Sequence, residues 1–196
     1  MAISRRDILK SLTITAVSGS ILSVIPLEAA EYAHRLVRAE KAAAENQAYT
    51  PKCFSAHAYK TLQALCQTII PSDEEAKGAI EAGAPEFIDL ITSENQQYQV
   101  ALGGGQMWLD STCIDRYSKV YLECTSAQQK EILDLIAYRR NAKRDPSLGQ
   151  GIEFFALLRK LTADGFFTSE IGIEYLGYIG NTFVKDFPGC PPVPGL

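Results

Sequence analysis

Ile152-Glu153-Phe154-Phe155-Ala156-Leu157-Leu158-Arg159-Lys160-Leu161-Thr162-Ala163 sets Phe154, Leu157, Leu158 and Leu161 at the i, i+3, i+4, i+7 spacing of one helix face. A stripe that apolar must be buried against other elements, and the flanking sequence supplies them as further helices. Upstream, Ser126 with Gln129 three residues on has the form of a capping box. The helix it opens would bury Ile132, Leu133, Leu135, Ile136 and Tyr138 and end at Arg139-Arg140, where positive charge suits a helix C-terminus. Asn141 to Gln150, with Pro146 and Gly149, reads as the loop between the two.

Further toward the N-terminus, Ser55 is placed to cap a helix carrying Tyr59, Leu62, Leu65, Cys66, Ile69 and Ile70, which Pro71 stops. A short helix starts near Pro85 and carries Phe87-Ile88 and Leu90-Ile91. From Glu94 to Tyr117 a helical rhythm persists through Gly103-Gly104-Gly105, which predicts either a kink or a close packing contact. Ala29 to Asn46 is rich in Ala, Glu, Arg and Lys with little apolar face, and reads as a solvated helix or spacer. After Asp164-Gly165 aromatics and glycines take over, and Phe187 to Pro194 is too rich in proline for helix or central strand. No stretch alternates as a strand. The fold expected is all-α: a single helical domain over 31–196 with an irregular, Pro/Gly-rich C-terminal tail, preceded by an N-terminal segment over 1–30.

That N-terminal segment has its own reading. Ser4-Arg5-Arg6-Asp7-Ile8-Leu9-Lys10 precedes an apolar run from Leu12 to Leu27, the form of a twin-arginine export signal with Arg5 and Arg6 as the paired arginines. Serines, threonines and Gly19 interrupt the run and Pro26 closes it, whereas a membrane span needs about 20 mostly apolar residues. Ala29 and Ala30 match a cleavage site poorly, so an uncleaved anchor stays open beside removal. The expected location is periplasmic and associated with the inner membrane.

Composition narrows the chemistry. The 196 residues have 46% hydrophobic content and a net charge of -4 with no long charge run, which argues against nucleic acid as a partner. There is no Cys-x-x-Cys-His for covalent haem and no strand-borne dinucleotide loop. His34 reads as a solvated helix position and His57 as a surface or core-edge residue, not metal ligands. Asp73-Glu74-Glu75 reads as a solvated turn, and Asp110 with Asp115 as exposed helix charge. No catalytic, cofactor or metal site is expected in this chain.

Cysteines 53, 66, 113, 124 and 190 are odd in number, so at least one lacks an internal partner. Cys66 and Cys113 fall on apolar helical faces and read as small core residues. Cys190 sits in the extended tail, suited to an interchain disulfide, with pairing to Cys53 or another internal cysteine as the alternative. Phe166, Phe167, Tyr175, Tyr178 and Phe187 are core residues by default and a partner interface as the second reading.

The motif order resembles the small subunit (subunit 3, or gamma) of gluconate 2-dehydrogenase-type complexes. The likeness lies in Leu62 to Pro71, Gly78 to Phe87, Met107-Trp108-Leu109-Asp110, Thr125-Ser126-Ala127-Gln128-Gln129 and Phe154 to Thr162. It continues through Gly165-Phe166-Phe167 and Phe187-Pro188-Gly189-Cys190-Pro191. The resemblance implies a non-catalytic subunit bound to a large FAD-dependent dehydrogenase of the glucose-methanol-choline type, acting on a sugar, sugar acid or glycoside. It also implies that the large subunit is exported with the small one, and that a c-type cytochrome with haem c is a third subunit linking the complex to the membrane. The competing class is an independent exported helical binding protein or scaffold with its own ligand.

Overall fold

The computed structural model describes residues 25–44, 49–74, 76–178 and 180, and these contain helices and turns with no strand. Seven α-helices follow in order: α1 (Leu27–Ala43), α2 (Ala56–Ile69), α3 (Ala84–Ser93), α4 (Gln96–Tyr117), α5 (Ser126–Ile136), α6 (Gly149–Phe167) and α7 (Glu170–Tyr175). Short 3-10 turns at Tyr121–Glu123, Arg139–Lys143 and Pro146–Leu148 link the later helices. The fold class read from the sequence is therefore the one observed.

The architecture is organised around α3. Every residue from Ala84 to Thr92 is buried, and α1, α2, α4 and α6 all pack against this helix. A helix enclosed on all sides needs apolar residues around its whole circumference. Phe87, Ile88, Leu90 and Ile91 supply them, each contributing roughly 1.5–3 kcal/mol by its removal from water. Pro85 in the first turn fixes the start, as its missing N–H would have no helical acceptor there.

Helices α4 and α6 run antiparallel and meet at two glycines. Gly105 lies under the Phe154 ring, where an added Cβ would stand 2.1 Å from Phe154 Cγ. Gly151 lies under Trp108, where an added Cβ would stand 2.3 Å from the indole. Each helix thus offers a glycine to the other's aromatic ring. The glycine run accordingly marks close packing, and α4 is one helix from Gln96 to Tyr117.

Four local readings are corrected. The α5 cap is Thr125, not Ser126: its side chain accepts from Gln128 N while the Gln128 side chain accepts from Thr125 N. Tyr138 is 53% exposed because α5 stops at Ile136, and its ring turns outward under the Arg140 guanidinium. Helix α6 continues through Gly165 to Phe167, since Leu158, Leu161, Thr162 and Phe166 prolong one buried stripe. Finally, α1 is not a solvated spacer. Ala29, Ala30, Ala33, His34 and Val37 form a narrow buried seam of small residues against α3, and Lys41 pairs with Glu86. Small side chains let the backbones approach closely, so burial here follows from shape more than from apolar bulk.

Candidate functional site

The most elaborate polar constellation surrounds Asp89, on the enclosed helix α3. Its side chain is 0% exposed and all its bonds come from the segment that leads into α2. Oδ2 accepts from Tyr49 Oη at 2.9 Å and Lys52 N at 2.7 Å, while Oδ1 accepts from Cys53 N at 3.1 Å and Phe54 N at 3.0 Å. Three consecutive backbone N–H groups and a phenol thus converge on one carboxylate, the arrangement that makes a buried negative charge tolerable. Burial first, then the Asp89 charge, pushes the Tyr49 phenol far above its usual range. Lys52 in turn pairs with Glu40 of α1, so the segment is clamped from both sides. Asp89 was not singled out above; the available signal was one carboxylate inside Phe87-Ile88-Asp89-Leu90-Ile91. With every acceptor site used internally, this cluster anchors the chain.

His34 departs from the solvated position expected of it. It is 9% exposed, and its ring stacks on Phe87 with centroids 4.9 Å apart. Nε2 lies 3.0 Å from Thr168 Oγ1. Thr168 Oγ1 also gives a hydrogen to the Asp164 carbonyl, and the His34 ring has a second hydrogen bond to the Gly165 backbone. Burial, reinforced by the Arg38 charge, lowers the His34 pKa to about 4, which keeps it neutral. Arg38 also pairs with Glu170 of α7. Helix α1 is therefore tied to both the central helix and the α6–α7 turn.

His57 is exposed, as expected, and its Nε2 meets Asp110 Oδ2 at 2.7 Å. Asp110 is not the free helix charge expected: its other oxygen accepts from Tyr121 N at 2.9 Å, because Asp110 sits where α4 faces the following 3-10 turn. The pair staples α2, α4 and that turn. Among the described residues no three His, Cys, Asp or Glu side chains are grouped to hold a metal ion.

Cys53, Cys66, Cys113 and Cys124 are free thiols, and Cys66 and Cys113 are fully buried core residues as read. Cys66 Sγ lies 3.5 Å from Thr162 Oγ1, whose hydrogen goes to the Leu158 carbonyl, so the thiol is the donor. Burial pushes the Cys66 and Cys113 thiols up to about 12, leaving neither reactive as a thiolate.

Two surfaces stand out. At the C-terminal end, Phe167, Tyr175, Leu176 and Tyr178 are exposed around α7. Phe166, grouped with them in the sequence reading, is only 2% exposed; it packs edge-on against Phe167 and Tyr175 and supports them from below. Phe187 and Cys190 lie outside the described residues, as do Arg5 and Arg6. On the opposite end of α6, a groove of about 1010 Å³ opens between α4, α6 and the Arg139–Lys143 turn, floored by Ala101, Ile152 and Leu157. Sequence periodicity did not reveal it, since a groove depends on how two helices splay. No described helix is long and apolar enough to cross a membrane.

A family model described as Gluconate 2-dehydrogenase subunit 3 matches residues 56–189, more than half of the chain. No curated protein and no solved structure matches.

Proposed function

The chain belongs to the gluconate 2-dehydrogenase subunit 3 family, and from that premise we propose that it is the non-catalytic accessory subunit of an exported dehydrogenase complex. In this reading it escorts and stabilises an FAD-dependent subunit of the glucose-methanol-choline type that oxidises a sugar, sugar acid or glycoside. The FAD belongs to that partner, and haem c to a third, cytochrome subunit. The observation that carries the proposal is the family match, which spans the helices α2 to α7.

Two features support it. The paired Arg5 and Arg6 precede an apolar run, the form of a signal that exports folded cargo. Helix α1 follows directly and is locked into the domain through Phe87, Glu86 and Glu170, so a pull on the leader is transmitted to the whole fold. The exposed rings around α7 offer one contact for the partner, and Cys190 a covalent tie to it.

The test is genetic and biochemical. With this chain deleted, the dehydrogenase subunit is expected to remain in the cytoplasm and periplasmic activity to vanish. Changing Arg5-Arg6 to Lys-Lys should trap both chains, and Cys190→Ser should abolish any reduction-sensitive adduct on gels. Full export and activity without the chain would refute the proposal. The groove beside α4 gives the alternative its footing, an independent exported binding protein; that protein would bind a small ligand when purified by itself.

A further inference from the structure

The outer face of α4 has an unusual composition for an exposed helix. Val100, Met107 and Ile114 are 71%, 75% and 48% exposed, and their spacing of seven residues sets them within about 40° of one another around the axis. Gln96, Gly103, Gly104 and Ser111 fill the same face. No charged residue occurs anywhere from Asn95 to Leu109, and Asp110 and Asp115 flank the stripe toward the end of α4. A Cβ at Gly103 would meet nothing within 4 Å, so the backbone is bare between Val100 and Met107. Val100 also forms the lip of the groove beside α6, whose rim holds one positive and one negative residue, Arg139 and Glu153.

We propose that this uncharged stripe and the adjoining groove are a docking surface for the dehydrogenase subunit, which meets it with an apolar, uncharged segment. This rests on the accessory-subunit reading and adds where the contact is made. An apolar centre of Val100, Met107 and Ile114 edged by polar residues is the composition of an interface core. The charge pattern dictates the occupant's chemistry: a charged segment would lose its hydration against Val100 and Met107, where the helix offers no charge from Asn95 to Leu109. The bare backbone at Gly103 admits a large side chain or a helix at close approach. A second copy of this chain is the poorer occupant, since each carries a net charge of -4 and two copies repel. The stripe and groove lie at the opposite end of α6 from the aromatic rings of α7, so the two contacts are separable.

The test uses the full-length tagged chain co-expressed with its dehydrogenase subunit. Met107→Lys is expected to reduce recovered flavoprotein about tenfold or more, with an unchanged melting curve, while Lys60→Glu on α2 leaves recovery unchanged. A photo-crosslinking residue at position 107 should give an adduct with the mass of this chain plus the dehydrogenase. Undiminished recovery with Met107→Lys, and no such adduct, would overturn the docking surface and leave the accessory role standing. An adduct of twice the chain's own mass would assign the surface to self-association and also overturn it. If the wild-type chain recovers no flavoprotein, the accessory role falls and this proposal with it.

Discussion

Helices α3 and α4 invert the usual placement of charge. The enclosed α3 carries two carboxylates, Glu86 and Asp89, whereas α4 carries no charge over about four turns, from Gln96 to Leu109. The buried charges of α3 all serve this chain: Asp89 gathers the 49–54 segment and Glu86 holds Lys41 of α1. On α4, by contrast, Val100 and Met107 stay exposed, 71% and 75%. Internal charge here fixes one fold, and the uncharged stretch of α4 is where we propose that the partner docks.

Substitutions can break this contrast. The largest effect is expected at Asp89→Ala, which leaves three backbone N–H groups and the Tyr49 hydroxyl without their acceptor and should cost roughly 3 kcal/mol or more in urea unfolding. A loss below about 1 kcal/mol would show that the network is incidental.

His34, stacked on α3, comes next. Its folded pKa of about 4 lies below the ordinary 6.5, so the unfolded chain binds the extra proton first as pH falls. The stabilisation is therefore complete above pH 6.5 and is lost between 6.5 and about 4, amounting to about 3 kcal/mol at most. The pH dependence of the urea midpoint should flatten over that window in His34→Gln; an unchanged slope would assign it to other groups.

Two glycines on α4 then separate its inner and outer faces. Gly105→Ala drives a methyl into Phe154 and should destabilise the chain by about 1–3 kcal/mol, partly relieved by Phe154→Leu. Gly103→Ala, two residues away, points into open space and should stabilise the isolated chain by about 0.5–1 kcal/mol. Equal effects at the two positions would remove the distinction between the faces. The smallest change is expected for Met107→Lys, within about 0.5 kcal/mol for the free chain, since that side chain touches solvent.

The sequence carried the helices well, because Phe154, Leu157, Leu158 and Leu161, or Leu62, Leu65 and Cys66, announce their faces by spacing alone. It carried α1 poorly: a seam of alanines has too little hydrophobic contrast to stand out, though small residues are what close packing on α3 needs. His34 followed that error, since a histidine on a helix read as solvated has no visible partner, and Thr168 lies 134 positions away. Asp89 and the groove were illegible for the same reason, as both join segments distant in sequence. The stretch Gln96 to Leu109 was legible as glycine-rich, but its lack of charge gains meaning only once Val100 and Met107 are seen to face outward.

Purification of the tagged full-length chain from the cell envelope, followed by its visible spectrum, tests the central claim most directly. The account predicts flavin absorption in fixed proportion to the chain, carried by a second polypeptide of dehydrogenase size. A colourless, monodisperse chain, from cells whose dehydrogenase is exported and active without it, would contradict the account.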